Sequence, residues 1–384
     1  MKFGIFFELS TPRPFTREAE WRVYHNALAQ CRLADELGFD HVWVVEHHFL
    51  EGYSHSSSPE AFLAAVAAQT KRIRLGHGAV VCVPEINHPI RVAERAAALD
   101  ILSNGRLELG TARSSTWTEL GGFEVNPDDT KKTWEEFVRV LPQMWMKDEF
   151  EWQGKSFSMP ARNVLPKPCQ EPHPPMWVTV TSPGTELDAA DRGLGCLGVS
   201  AAGYEEQERR TKEYHRRIKL CDPVGEVIND QVHTMNFLYC HEDYRQARDI
   251  GIPMVTSFNI ANAHLYWTRE AYPTNAYQTL GNAGIGMKPK KPASDDPSVA
   301  KGLPEGVGVG DPEHLAQTIK RWESVGVTGI NFLLNAMEMI PPEQVMESMR
   351  LFAREVMPQF QSAEEREAPV YSPTTIPDFA QGEI

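Results

Sequence analysis

A single (β/α)8 barrel with insertions is the fold predicted by this 384-residue sequence. Three observations carry the prediction. Strand and helix signals alternate almost from end to end, in roughly eight strand–helix units. Neither a short fixed repeat nor a clean linker divides the chain. No Gly-x-Gly-x-x-Gly follows the first strand, which argues against a dinucleotide-binding first half.

The apolar run Lys2–Phe7 reads as the first strand. A helix from about Glu18 to Leu37 follows, with Val23, Ala27, Cys31 and Ala34 at helical spacing. Gly38 is placed to end it in the left-handed conformation. The second strand is Val42–Val45, and Pro59–Thr70 is a helix of small residues suited to close packing. Strand three is the long β-rich run Ile73–Val83, stopped by Pro84. A helix over Ile90–Ser103 ends at Asn104-Gly105, strand four is Arg106–Gly110, and Lys131–Met146 is helical. Between Phe150 and Pro175 lies a Pro-rich insertion with a small hairpin at Glu151–Phe157.

The pattern resumes with strand Met176–Val180, a helix to Arg192, strand Cys196–Val199, helix Glu205–Leu220 and strand Val232–Cys240. Tyr244–Leu280 is irregularly helical. Gly281–Gly310, rich in Gly, Pro and Lys, has no periodicity and reads as a lid-like loop. Asp311-Pro312 opens the next helix, with Pro at its first position. Strand Gly329–Leu334 and helix Pro342–Met357 close the barrel. The barrel domain thus spans residues 1–361, and the acidic tail 362–384 is expected to be loosely attached.

Composition narrows the function classes. A net charge of −14 argues against a nucleic-acid footprint, and no apolar run reaches the length of a membrane span. The N-terminus is too short in apolar length for a signal peptide. Six cysteines without CxxC spacing read as reduced thiols of a cytoplasmic protein, with no metal framework.

The chemistry concentrates where strands end. Glu46, His47 and His48 follow strand two directly, at the edge where barrels carry their sites. A lone histidine there is more often a structural hydrogen-bonder; two beside a glutamate and a polar loop favour chemistry. Adjacent side chains on an extended strand point to opposite faces, so only one of the pair enters a given pocket while the chain stays extended. Thr181-Ser182-Pro183-Gly184-Thr185 opens a helix after strand five and offers an anion site, or simply an N-cap. Arg113, past strand four, is a cation for the same phosphate or a ring carbonyl, or a surface arginine. Gly76 and Gly78 permit close backbone approach by something flat. Phe49, Trp117, Phe123, Trp177, Phe258 and Trp267 are candidates for apolar pocket walls.

Several segments together resemble the bacterial luciferase-like family of flavin-dependent monooxygenases. They are Gly38-Phe39-Asp40-His41-Val42-Trp43, Glu46-His47-His48-Phe49, Ile73-Arg74-Leu75-Gly76, His88-Pro89-Ile90-Arg91-Val92-Ala93-Glu94, Leu99–Arg106 and Gly110-Thr111-Ala112-Arg113. The match is dense over Met1–Arg113, looser through Met176–Val199, and returns at Val309–Glu313. The resemblance implies a TIM barrel binding reduced FMN at its C-terminal mouth. It makes His47 and His48 the catalytic histidines, with Glu46 beside the flavin. Ala79-Val80 falls on the strand-three bulge, often a non-prolyl cis peptide, under the flavin ring. Arg113 matches the arginine near the flavin phosphate, and Thr181, Gly184 and Thr185 the phosphate turn. Ala112 stands where luciferase carries a reactive cysteine, so light emission is not implied.

The implied reaction is that of a flavin 4a-hydroperoxide oxygenating a small uncharged organic substrate with O2. No NAD(P)H-binding motif is visible, so FMNH2 is expected from a separate flavin reductase. The family's pairing implies a homodimer, expected through the helices after strands two and three. Alternatives are a deazaflavin (F420)-dependent oxidoreductase on the same barrel, a non-catalytic flavin-binding subunit and, last, a metal hydrolase using Glu46, His47, His48 and His88. Lys288, Lys290 and Lys291 are weak support for the deazaflavin.

Overall fold

Along the chain, β1 (Lys2–Phe7) leads to α1 (Arg17–Leu37), β2 (His41–Val44), α2 (Pro59–Ala67), β3 (Arg74–Val81) and α3 (Pro89–Leu102). Then come β4 (Leu107–Ala112), a short α4 (Trp117–Gly122), α5 (Thr130–Met146), the hairpin β5 (Phe150–Gln153) with β6 (Ser158–Arg162), and β7 (Met176–Val180). After α6 (Thr185–Asp191) follow β8 (Gly195–Val199), α7 (Tyr204–Ile218), β9 (Val232–Cys240) and α8 (Tyr244–Tyr266). The chain continues through β10 (Gly308–Gly310), α9 (Pro312–Ser324), β11 (Gly329–Leu333), α10 (Pro342–Glu355) and α11 (Ala363–Glu367). The computed structural model describes residues 1–114, 116–181, 184–199, 203–266, 296 and 302–380.

Eight strands close into a parallel barrel in the order β1, β2, β3, β4, β7, β8, β9, β11, with β11 returning to β1 through Lys2↔Gly329 to Phe6↔Leu333. Helices fill the connections, as the alternating sequence predicts. Helix α1 shows why the local reading works. Thr16 caps its start by accepting from the Ala19 N–H at 3.1 Å, and Gly38 ends it at φ 85°. Val23, Ala27, Cys31 and Ala34 form its buried stripe. No helix among the described residues is long and apolar enough to cross a membrane.

Beyond shifts of a few residues at helix ends, three differences from the sequence reading bear on the site. Strand β3 stops at Val81 instead of Val83, and β4 runs on to Ala112 instead of ending at Gly110. The cause is a register shift between His77 and Val80, around a cis Gly78–Ala79 peptide, after which β3 pairs again with Thr111 and Ala112. Helix α4, read as loop, is the second difference. Third, the lid-like stretch 281–310 does not remain loop to its end. Strand β9 outlasts its pairing with β11 at Phe237, leaving an edge at Leu238–Cys240 on which Gly308–Gly310 adds as β10. Gly306 is tied down through its carbonyl by Asn236 and Trp322 at 2.8 and 2.9 Å. Residues 281–295 and 297–301 of that stretch lie outside the described residues, as do Trp267 and the three lysines at 288, 290 and 291.

The tail makes defined contacts. Arg72 donates to the carbonyls of Ala368 and Glu365 at 2.7 and 3.0 Å, and Glu171 pairs with Thr375 as an antiparallel bridge.

The barrel interior mixes large polar and aromatic groups with glycine. Trp43 and Trp177 meet edge to face at 5.3 Å, and each leaves no room for a side chain opposite: a Cβ at Gly76 would lie 2.1 Å from the Trp43 ring, one at Gly195 2.5 Å from Trp177. Trp177 is therefore a filler of the barrel interior and not a pocket wall. Beside it the fully buried Arg74 pairs with Glu108, whose other oxygen accepts from Trp177 Nε1 at 2.7 Å. Arg74 also donates to Gln170 Oε1 at 2.8 Å and to the carbonyls of Gly105 and Leu107.

Breaking one side of a buried ion pair strands the other charge, whereas removing both costs far less. Glu108→Leu is expected to lower the unfolding free energy by about 3–5 kcal/mol, with the Arg74→Met/Glu108→Leu double variant recovering most of it. Urea titrations of the three proteins test this. Equal losses in single and double variants would contradict it.

Candidate active site

At the C-terminal mouth, four strand ends among the described residues carry non-glycine residues with positive φ: Leu9 after β1 (49°), Phe49 after β2 (62°), Ser114 after β4 (62°), and Met337 with Glu338 after β11 (59° and 51°). Such conformations each cost about 1–3 kcal/mol and gather at functional sites. The turn at Phe49 explains how the two adjacent histidines are used. The chain leaves extended geometry after Val44, so His47 and His48 both reach the mouth and take different partners.

His47 is held by Glu119 of α4. Its Nδ1 lies 2.9 Å from Glu119 Oε1, and that oxygen also accepts the His48 backbone N–H at 3.1 Å. The second oxygen accepts from Ser114 Oγ at 2.8 Å and Thr116 Oγ1 at 2.7 Å. With both oxygens of Glu119 occupied as acceptors, Nδ1 is the ring nitrogen that donates to it, and Nε2 is left facing Glu8. On the Nε2 side, at 3.7 Å, is Glu8 Oε2 at the end of β1; Glu8 Oε1 accepts from Tyr53 O–H at 2.9 Å. Tyr53 stacks edge-on against His47 and meets Phe258 of α8 at 5.4 Å, closing this side with apolar surface.

Electrostatics follow from this packing. Burial pulls the His47 imidazolium down, but Glu119, Glu8 and Glu46 outweigh it and lift the group to about 9. Burial pushes Glu119 up, and the imidazolium with its hydrogen bonds overcomes that and holds it below the usual carboxylate range. Burial lifts Glu8 to about 7, against His47 and the Tyr53 hydroxyl.

His48 sits in a second, adjoining network. Its Nε2 is 3.1 Å from Glu46 Oε1, which also accepts from Asn87 Nδ2 at 2.7 Å; Glu46 Oε2 accepts the Val81 N–H at 2.8 Å. Glu46 thus ties the loop after β2 to β3 just past its bulge. Phe49 and Phe123 flank His48, with Trp117 packed alongside Phe123 on a small apolar cluster. No group of three or more His, Cys, Asp or Glu among the described residues is arranged to hold a metal ion.

Other sequence candidates lie at the same mouth but outside this cluster. The cis bond joins Gly78 to Ala79, one residue before the Ala79-Val80 link named from the sequence. Arg113 is half-buried just after β4, and Thr181 just after β7. Gly184, at φ 91°, precedes α6 with open space around its Cα, and its N–H donates to Glu186 Oε2 at 2.9 Å, so an acid of this chain already stands at that helix start. Sequence reasoning gave no role to Glu8, Tyr53, Asn87 or Glu119. Thr116-x-x-Glu119 carries a capping-box spacing, a signal that would have located the helix and its acid.

Comparison with known proteins follows the same lines. A family model described as luciferase-like monooxygenase matches residues 1–329. Over 369 residues the chain is 25% identical to the oxygenase component of flavin-dependent trigonelline monooxygenase from Acinetobacter baylyi, covering 94% of this chain and 96% of that one. The crystal structure of monooxygenase RslO1 from Streptomyces bottropensis superposes with a TM-score of 0.76 at 28% identity, covering 94% of this chain and all of that one (100%). The oxygenating constituent of 3,6-diketocamphane monooxygenase from Pseudomonas putida, solved with FMN, shares the fold at TM-score 0.73 and 18% identity over 94% of this chain and 99% of that one.

Because the folded value for His47 is raised above 6.5, its stabilising contribution is complete below pH 6.5 and is lost as pH rises through about 9. Glu119→Gln removes the main cause. Histidine NMR titration should show the His47 midpoint falling from about 9 towards 6.5 in this variant; a midpoint that stays put would mean Glu119 does not set it.

Proposed function

Since the chain belongs to the luciferase-like monooxygenase family, we propose that it is the FMNH2-dependent oxygenase component of a two-component system. In this reading a separate NAD(P)H-dependent flavin reductase supplies reduced FMN, and one oxygen atom of O2 enters a small uncharged organic substrate. The observation that carries it is the Glu119–His47 pair at the barrel mouth, an oriented imidazole with one nitrogen presented at a partly enclosed site.

The residues present fit a planar, heteroatom-rich ring with an anionic tail. Buried polar atoms without a hydrogen-bond partner stand near the ends of β1 and β7: Glu8 Oε2, Thr11 Oγ1 and Thr179 Oγ1. The bulged backbone at Ala79 and Val80, with Glu46 behind it, would support the ring. Arg113 would meet the phosphate, together with Thr181, Gly184 and Thr185, the phosphate displacing the Glu186 carboxylate from the Gly184 N–H. When bound, reduced FMN supplies the O2-activating chemistry, which the side chains do not.

The chain's own groups then orient and move protons. Glu119 holds the His47 ring by Nδ1, which leaves Nε2 to deliver or take a proton. Glu46 holds His48 and the β3 bulge in one network, which keeps the second histidine a positioning group. Tyr53 and Phe258 beside His47, and Phe123 beside His48, supply apolar surface that keeps water away from the reacting centre. The six free cysteines, five of them buried, suit the reducing cytoplasm. Pairing through α2 and α3 would cover Leu102, 64% exposed on α3.

Anaerobic titration tests the cofactor. FMNH2 should bind with one equivalent per chain, and a reduced deazaflavin should fail to displace it; the reverse order of affinity would turn the reading to a deazaflavin oxidoreductase. His47→Ala is expected to leave FMNH2 binding within about threefold while reducing product formation roughly 10²–10⁴-fold. Unchanged turnover would remove His47 from the mechanism.

A further inference from the structure

Glu8, which faces His47 Nε2, also lines a small cavity between the end of β1, α1 and the turn after β11. Glu8, Ser10, Gln30, Asn335 and Glu338 are the polar and acidic residues of its lining. It offers about 20 Å3 to a water-sized sphere, enough for at least one water molecule held by polar partners. Two carboxylates line this one space, Glu8 from the end of β1 and Glu338 from the turn after β11. Glu8 is 4% exposed, and its Oε2, the oxygen nearest His47 Nε2, has no hydrogen-bond partner. Glu338 stands between the cavity and the surface, where Asn26 of α1 donates to it at 3.1 Å. The turn that aims it inward places Met337 and Glu338 in the left-handed region. A buried acid with one oxygen free of hydrogen bonds beside His47, sharing a water-sized cavity with a second acid at the rim, has the form of a proton path.

We propose that Glu8 and Glu338, joined through water in this cavity, form the route by which protons pass between solvent and the His47 imidazole. The role rests on reading His47 as the acid–base group of the site. Its steps balance without any change of oxidation state. After Nε2 gives up its proton at the mouth, the Glu8 carboxylic acid hands its own to Nε2, a 3.7 Å gap that a small ring rotation closes. The Glu8 carboxylate takes a proton from the cavity water, Glu338 restores the water, and solvent reprotonates Glu338 beside Asn26. The surroundings suit such traffic. Glu8 is faced by His47 and Tyr53 of the loop after β2 and by Glu119 of α4; Glu338 by Asn26 and Arg22 of α1. Burial lifts both acids to about 7, so each can hold or release a proton near neutrality.

The experiment follows the Glu8 carboxylic proton itself, in flavin-free protein. Infrared spectra below its midpoint near 7 show protonated buried carboxyls, and the band lost in Glu8→Gln belongs to Glu8. On transfer to D2O, that band should exchange rapidly in the wild type and in His47→Gln. Exchange should slow by about tenfold or more in Glu338→Gln, and recover in Glu338→Asp. Ala27→Leu fills the cavity while keeping both acids, and should slow exchange likewise, so the test does not depend on Glu338→Gln folding. Exchange unchanged in Glu338→Gln and Ala27→Leu, or slowed only in His47→Gln, would overturn the route and show that Glu8 communicates through the mouth. Turnover by His47→Ala equal to wild type would instead defeat the acid–base reading, a result this flavin-free measurement does not share.

Discussion

The Glu119 carboxylate accepts from His47 Nδ1, the His48 backbone N–H, Ser114 Oγ and Thr116 Oγ1. Those donors come from the loop after β2 and the loop after β4, so one buried side chain sets the relative position of two strand ends. It fixes the tautomer of His47 in the same act. A buried carboxylate is tolerable only when its lone pairs are used and a cation stands beside it; here the cation is the histidine it orients. The dependence is mutual, which is why the imidazolium is favoured and the carboxylate stays ionised.

The barrel beneath obeys a different constraint. Its interior carries Arg74, Glu108, Trp43, Trp177, His41 and His233, all buried, with glycines cut in where the large rings need space. Burial keeps His233 neutral down to about 3 and His41 well below its ordinary range. These histidines are therefore structural at any ordinary pH. His47 differs because three acids surround it at the mouth. Four of the chain's histidines on or beside strands thus divide by their neighbours, with His41, His77 and His233 held neutral and His47 held charged.

Much of this was legible in the amino-acid sequence, and for identifiable reasons. Alternation of strand and helix signals is local, and so is the cap at Gly38; both survive into the structure unchanged. The histidine pair was visible because it directly follows a strand. Its partner was not, because Glu119 is 72 positions from His47 in the chain and falls in a stretch that reads as loop. Helix α4 is six residues long and ends in Gly121-Gly122, which reads as loop. Glu8 directly follows the apolar strand Lys2–Phe7, and nothing local marks it as facing His47. The ends of β3 and β4 moved because a bulge at Gly78–Ala79 shifts the register, a feature of two strands together that neither shows alone.

The account stands on Glu119 fixing the proton on His47 Nδ1 and leaving Nε2 to work. Nitrogen-15 NMR of histidine-labelled protein above the His47 midpoint near 9 reads that directly, since the two neutral tautomers have distinct ring-nitrogen shifts. The account predicts the Nδ1–H form for His47 in the neutral state. An Nε2–H form would mean that Glu119 does not hold the ring as described, and the acid–base assignment would fall with it.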